Sequence, residues 1–350
     1  MAIRKSQAPT LADVAREARV SLKTASRVLN KSENVRQEKV ARVEQVMARL
    51  GYRPNELARS LMTRKSSAIG MIVANLSNPF IVSVIKDVQE VARTNGYVVI
   101  VTSSGGLADV ERSEIEILVR RQIDGLIIAP TNTQRDTFSD ALPAGLPVVT
   151  FDQRISGSPF DSVTITNRRS AREATQHMLG HGLSRIVAVG TRPHQYTSRE
   201  RVIGYREAMR KASLEPMVCA VDHEGLLTAE WLDEEVLRRN AADAIFALNW
   251  VSTLHVLRGL YKLGMQGGRD IPFMSFDDFD LGDVLTPRLS VVQQPSEMLG
   301  RECARLLFER LNGGAGKRPC LVAVPARRSS IHFKTRHSRR SSASPMFCRA

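Results

Sequence analysis

Few residues of this chain are spaced for covalent chemistry. His177 and His181 stand at i and i+4, but Met178 occupies the place where a zinc-protease motif carries its glutamate base, so the pair reads as the end of a surface helix. The run Gly313-Gly-Ala-Gly-Lys317 lacks the upstream glycine and the Ser/Thr of a phosphate loop and reads as a flexible turn. No Gly-x-Ser-x-Gly elbow and no Gly-x-Gly-x-x-Gly follows a predicted strand. Asp277 and Asp278 are adjacent, and neighbours on a strand point apart. No catalytic residue, metal site or cofactor is expected. The residues suited to chemistry are suited to recognition. Ser21, Leu22, Lys23, Thr24, Ser26 and Arg27 put short polar and basic side chains at the start of a helix. That is what reading base edges in the major groove requires, and Lys23 and Arg27 can each donate to guanine O6 and N7.

Those side chains need a scaffold. Thr10, followed by Asp13, can cap a first short helix bearing Leu11, Val14, Ala15 and Ala18 at helical spacing. Ser21 opens a second helix over 22–29. A third over 37–50 carries Val40, Val43, Val46, Met47 and Leu50 as its inner stripe and stops at Gly51. Such a helix-turn-helix with a supporting helix is about the least that buries a core in some fifty residues. Charge follows the same division. Residues 1–65 carry a net +9, residues 327–350 a net +7, and the stretch between a net −2. A small basic module beside a near-neutral body points to phosphate-backbone binding confined to that module.

The run from Thr10 to Asn30 (TLADVAREARVSLKTASRVLN) closely resembles the N-terminus of the lactose-repressor, or LacI-type, family. Gly51-Tyr-Arg-Pro-Asn-Glu-Leu-Ala-Arg-Ser-Leu61, Ser77-Asn-Pro-Phe80, Asp124-Gly-Leu-Ile-Ile-Ala-Pro130 and Ser275-Phe-Asp-Asp278 fit the same family in the same order, so the resemblance spans roughly residues 10–328. It implies base reading by Leu22, Lys23 and Arg27, and backbone positioning by Ser21, Thr24, Ser26 and Asn30, with Thr10 and Tyr52 in the same DNA-binding set. It also implies a hinge helix from Asn55 to Leu61. Leu61 would be the apolar wedge that enters the minor groove and bends the duplex, with Asn55 and Ala58 beside it. The family usually has glycine in the turn between the first two helices, where this chain has Arg19. If the turn needs a left-handed backbone, arginine there costs about 1 kcal/mol.

From Ser67 onward, apolar strands alternate with amphipathic helices. Strands are expected over 69–74, 97–102, 125–129, 147–151, 185–190, 244–248, 271–276 and 289–292, with helices over 80–94, 109–122, 168–181, 199–213, 229–239 and 252–263. The expected organisation is an all-α helix-turn-helix domain over 1–51, a linker over 52–66 and an α/β body over 67–330. The body is two doubly wound parallel-sheet lobes, one of about 67–165 with 295–326 and the other of about 166–294. A basic tail over 331–350 follows, poor in apolar residues and expected to lack order.

By the same resemblance, the body is like periplasmic sugar-binding proteins, which bind ligand between lobes at the C-terminal ends of strands. The residues that fit are Phe80, Asp152, Arg201, Asn249, Asp277 and Gln294: a flat apolar face, two hydroxyl-accepting carboxylates, two amides and a guanidinium fork. Taken singly, a strand-end Asp or Asn as often just caps a helix. Family members often have Asp after the position of Asn249; here Trp250 makes the cleft less negative. With Arg201, and with Arg199 and His194 nearby, that favours a sugar acid, such as a gluconate derivative, over a neutral sugar.

The composition excludes other classes. No apolar run approaches the roughly 18 residues of a membrane span, and the N-terminus lacks an apolar signal region, so a cytoplasmic location is expected. None of the four cysteines sits in a Cys-x-x-Cys pair, and reduced thiols are expected. The expected function is a transcription regulator, most simply a repressor, that binds a near-palindromic operator as a homodimer and answers to a sugar-like effector. Two other readings compete. A ligand-binding protein without DNA would leave the basic module unused, and an enzyme fused to a DNA-binding domain would need a nucleophile or cofactor loop.

Overall fold

The computed structural model describes residues 9–29, 35–53, 65–132, 138–155, 157–277, 287–313, 321–324 and 327–328. The chain divides into two compact units, Met1–Ser66 and Ser67–Ala350. The expected roles of Asn30, Asn55, Ala58 and Leu61 lie outside the described residues, as does the basic tail.

The first unit is helical: α1 (Leu11–Glu17), α2 (Leu22–Leu29) and α3 (Gln37–Leu50). Thr10 and Asp13 form a reciprocal capping box that supplies partners for orphan amides at the start of α1. Val14, Ala18, Val28, Val43 and Val46 make the core, with Val20, Val40, Met47, Leu50 and Tyr52 packed around it. Two reversals shape this core. Gly51 ends α3 in the left-handed region at φ 62°. Arg19 takes the same region at φ 50° without being glycine. Around it the Val20 amide donates to Ala15 O at 3.0 Å and the Arg19 amide to Arg16 O at 3.2 Å, closing the end of α1 before α2 begins.

The second unit contains two six-stranded sheets. The first has β1 (Ala68–Val73), β2 (Val98–Ser103), β3 (Gly125–Ile128), β4 (Val148–Phe151), β5 (Asp161–Ile165) and β11 (Leu321–Val324), all parallel, in the order β11-β5-β4-β3-β1-β2. The second has β6 (Ile186–Thr191), β7 (Met217–Val221), β8 (Ala244–Ala247), β9 (Phe273–Phe276), β10 (Ser290–Gln293) and β12 (Arg327–Arg328) in the order β12-β10-β9-β8-β6-β7, with only β12 antiparallel. The connecting helices include α4 (Pro79–Thr94), α5 (Ala108–Arg120), α6 (Asn167–Gly180), α7 (Tyr196–Lys211), α8 (Trp250–Lys262) and α9 (Ser296–Leu311), and a helical turn at Ala229–Trp231 runs on into a π-helix at Leu232–Arg239. The chain passes between the sheets three times: after β5, after β10 and after β11.

Eight strands lie where the apolar runs predict them. Of the other four, β7 (Met217–Val221) and β11 (Leu321–Val324) are short apolar runs that were not expected as strands, while β5 and β12 carry no such run. β5 reads Asp-Ser-Val-Thr-Ile, and every one of its residues is buried. Its Asp161 takes a two-point ion pair from Arg310 of α9, at 2.7 and 2.8 Å, so a buried polar strand is held by a partner 149 positions away. β7 is bound to its neighbours by the Tyr205 hydroxyl of α7, which donates to Ile186 O at 2.6 Å and accepts from the Met217 amide at 2.9 Å. Burial raises that phenol's pKa.

Candidate functional sites

On the first unit, Ser21 precedes α2 and accepts from the Thr24 amide at 3.1 Å, with the two hydroxyls 2.8 Å apart. That cap fixes where α2 begins. Ala25 and Val28 then turn inward, which sends Leu22, Lys23 and Arg27 outward. Leu22 is 55% exposed, an apolar side chain on a polar face. Neither Lys23 nor Arg27 has an ion-pair partner among the described residues. Ser26 and Thr24 lie half-buried on the flanks of the same face. The surface therefore presents an apolar tip, two free cations and two hydroxyls along the first two turns of one helix. Thr10 is committed to its cap, and Tyr52 packs on the core, where burial raises its pKa.

On the second unit, Phe80, Asp152, Arg201, Asn249, Asp277 and Gln294 all line one cleft. Each is brought there by a strand end or the start of the following helix. Asp152 directly follows β4 and Asp277 directly follows β9, each after a phenylalanine. Both adopt left-handed backbone, at φ 58° and φ 89°. Each amide still pairs with a neighbouring strand, Asp152 to Val163 O at 3.0 Å and Asp277 to Val292 O at 3.1 Å. The two sheets thus present matching carboxylates, and strained backbone of this kind concentrates at binding sites.

Arg201 is charge-coupled to both carboxylates. It is 3% exposed. Its Nε donates to Asn167 Oδ1 at 2.8 Å and its Nη1 to Leu248 O at 2.7 Å. Its guanidinium carbon sits 3.7 Å from the centre of the Phe276 ring. Burial lowers its pKa, and Asp277 and then Asp152 oppose that. Burial also raises both carboxylates, Asp277 to about 6, with Arg201 pulling each back. Gln294 Nε2 donates to Asp277 Oδ1, and the Trp250 amide donates to Asp277 Oδ2 at 3.0 Å. Gln294 Oε1 is buried with no donor among the described residues. A ligand hydroxyl would supply one.

Two residues are more committed than their positions suggest. Asn249 caps α8, its Oδ1 accepting from the Ser252 amide at 2.8 Å while its Nδ2 donates to Thr191 Oγ1 at 3.1 Å. Phe80 belongs to the core as well as to the cleft wall. The fork expected of Arg201 is largely spent: Asn167 and Leu248 use two of its three nitrogens, and two carboxylates share its charge. Arg199 points to solvent, and His194 is exposed beside Asp222 at 3.7 Å.

Sequence reasoning missed several lining residues. Gln153 in the first lobe donates from Nε2 to Asp152 Oδ2 at 2.9 Å and across the cleft to Thr197 Oγ1 of α7 at 2.8 Å. Ser198 and Gln195 line the cleft as well, as do Arg192 at the end of β6 and Glu224. The signal for them lay in the segments following β4, β6 and β7, since residues just after parallel strands face the switch point.

Comparison with known proteins adds independent support. Residues 10–55 match the bacterial regulatory proteins of the lacI family, and residues 175–331 match the periplasmic binding protein-like domain. Catabolite control protein A of Priestia megaterium is 30% identical over 308 residues, covering 87% of this chain and 92% of the relative. The ribose operon repressor of Halalkalibacterium halodurans is 29% identical over 303 residues, covering 86% of this chain and 90% of the relative. A solved complex of the transcriptional regulator CelR with cellobiose is 26% identical, with a TM-score of 0.66 covering 93% of this chain and all of that one. A helix-turn-helix unit matching the lacI pattern and a two-sheet body matching the binding-protein pattern occur here in one chain, which belongs to the lacI family of DNA-binding transcription regulators.

Proposed function

We propose that the chain is a repressor that binds a near-palindromic operator as a homodimer and whose operator affinity is set by a small polyhydroxy effector in the cleft of the second unit. The observation that carries the effector half is the meeting of six residues from separate strand ends and helices on one cleft, where two carboxylates flank a buried guanidinium. Carboxylates, amides and a flat phenyl wall are suited to hydroxyls and a sugar ring. The CelR–cellobiose complex and the ribose operon repressor are relatives whose names point to sugars. On the DNA side, Leu22, Lys23 and Arg27 read bases while Ser21, Thr24 and Ser26 hold the helix in register. One such helix reads only a few base pairs, so two related by symmetry are needed for useful affinity.

Binding-site selection from random duplexes tests this reading. The native chain returns a near-palindrome. Arg27→Ala loses about 1–3 kcal/mol at one symmetric position and relaxes preference there. Lys39→Ala, an exposed change on α3 away from the reading face, returns the native consensus. An identical consensus from all three proteins would refute the assignment of Arg27.

A further inference from the structure

We propose that Arg192, and not Arg201, receives an anionic group of the effector, and that it does so while reaching across the cleft onto Gly106 of the opposite lobe. The inference rests on the effector reading above and names the chemical class of that effector: a polyhydroxy molecule bearing a carboxylate or a phosphate.

The charges that line the cleft are Asp152, Asp277 and Glu224 against Arg192 and Arg201. Arg201 is accounted for: it lies between the two aspartates and gives its hydrogen bonds to Asn167 and Leu248. Arg192 is not. Its side chain is half-buried in the cleft wall, and among the described residues no carboxylate comes within ion-pairing distance of it. Glu224 lines the same cleft without pairing with it. A half-buried cation held in a cleft without a counter-charge is a receptor for one.

Its position is built. Arg192 takes left-handed backbone at φ 51°. Its amide stays bonded to Val221 O at 2.8 Å, and its carbonyl accepts from the Gln195 amide at 3.0 Å. That turn carries the side chain away from the second sheet. Its tip lies against Gly106, just beyond β2 of the first sheet. A methyl group on Gly106 would stand 2.2 Å from Arg192 Nη1 and 2.8 Å from its Cζ. Gly106 is itself at φ 77°, so a side chain is disfavoured there on two counts. The guanidinium therefore spans the cleft over the ligand space, where a bound anion would tie one lobe to the other.

The test is a thermal-shift and calorimetric series on the full chain with matched probes: D-gluconate and D-glucuronate for carboxylates, glucose 6-phosphate and ribose 5-phosphate for phosphates, glucose and ribose as neutral references. At least one anionic probe should bind more tightly than its neutral partner. Arg192→Gln should weaken that probe about ten- to a hundredfold and the neutral sugar markedly less. Gly106→Ala, which displaces the guanidinium without removing it, should act in the same direction. Preference among the anionic probes separates a sugar acid from a sugar phosphate. A neutral sugar that binds best, with no response to either substitution, overturns the role of Arg192 and leaves the effector site standing. Failure of every probe to bind overturns the sugar-like effector itself, and this inference with it.

Discussion

At the scale of single residues, function here is written in backbone angles that most side chains avoid. Asp152, Arg192 and Asp277 line the cleft, each at a strand end with φ between 51° and 89°. Each keeps its amide in the sheet while its side chain turns off the strand line toward the ligand space. Arg19 belongs to the same class, on the helical unit. Its left-handed turn closes α1, a task glycine performs without strain. Arg19→Gly should stabilise the first unit by about 1 kcal/mol, seen as a rise of roughly fivefold in amide-exchange protection across α1 to α3. Where arginine instead offsets that strain by meeting a phosphate, the same variant loses about 0.9 from the salt slope of DNA binding. Unchanged protection would mean that the turn carries no strain worth relieving.

At the scale of elements, placement depends on close approaches that only a few residue types allow. The helices α6 and α7 pack tightly beneath the cleft, and together they position Asn167 and Arg201. Their contact runs through Gly204, where a methyl group would sit 2.0 Å from the carbonyl oxygen of Arg168. That oxygen belongs to backbone and cannot step aside as a side chain would. Gly204→Ala should therefore push the helices apart and cost about 1–3 kcal/mol by urea denaturation. It should also weaken effector binding, because the Arg201 Nε to Asn167 Oδ1 bond spans the same pair of helices. A variant with native stability and native binding would show that the helix pair is more plastic than its packing implies.

For the whole molecule, regulation means that two ligands on two units share one free energy. The first unit holds the face suited to DNA, and the second holds the cleft. An effector that changes operator affinity must have its own affinity changed by operator DNA through the same factor, typically 5- to 150-fold, or about 1–3 kcal/mol. Titrating effector into free protein and into protein saturated with operator measures this directly. Equal effector affinity in both would show that the cleft is occupied without being coupled to DNA. Asp277→Asn should reduce the coupling along with effector binding, since Asp277 accepts from both Gln294 and the Trp250 amide, yet it should leave DNA affinity in the absence of effector intact.

What the sequence determined by itself is whatever local periodicity and composition encode. The capping box at Thr10, the stop at Gly51, the apolar stripes of α1 to α3 and eight of the twelve strands were legible because each follows from residues within one helical turn or one strand length. The left-handed turn at Arg19 was legible as a departure from glycine. The six cleft residues could be named as a set by family resemblance, and they do line one cleft; their individual commitments could not be read. Tertiary structure decided the rest. It made Asp-Ser-Val-Thr-Ile a buried strand by bringing Arg310 to Asp161 from 149 positions away. It spent the charge of Arg201 on two aspartates from different lobes. It left Arg192, unremarkable in sequence, as the cleft's cation without a counter-charge among the described residues. Burial, charge balance and close approach are sums over groups distant in sequence, so they exist only once the chain has folded.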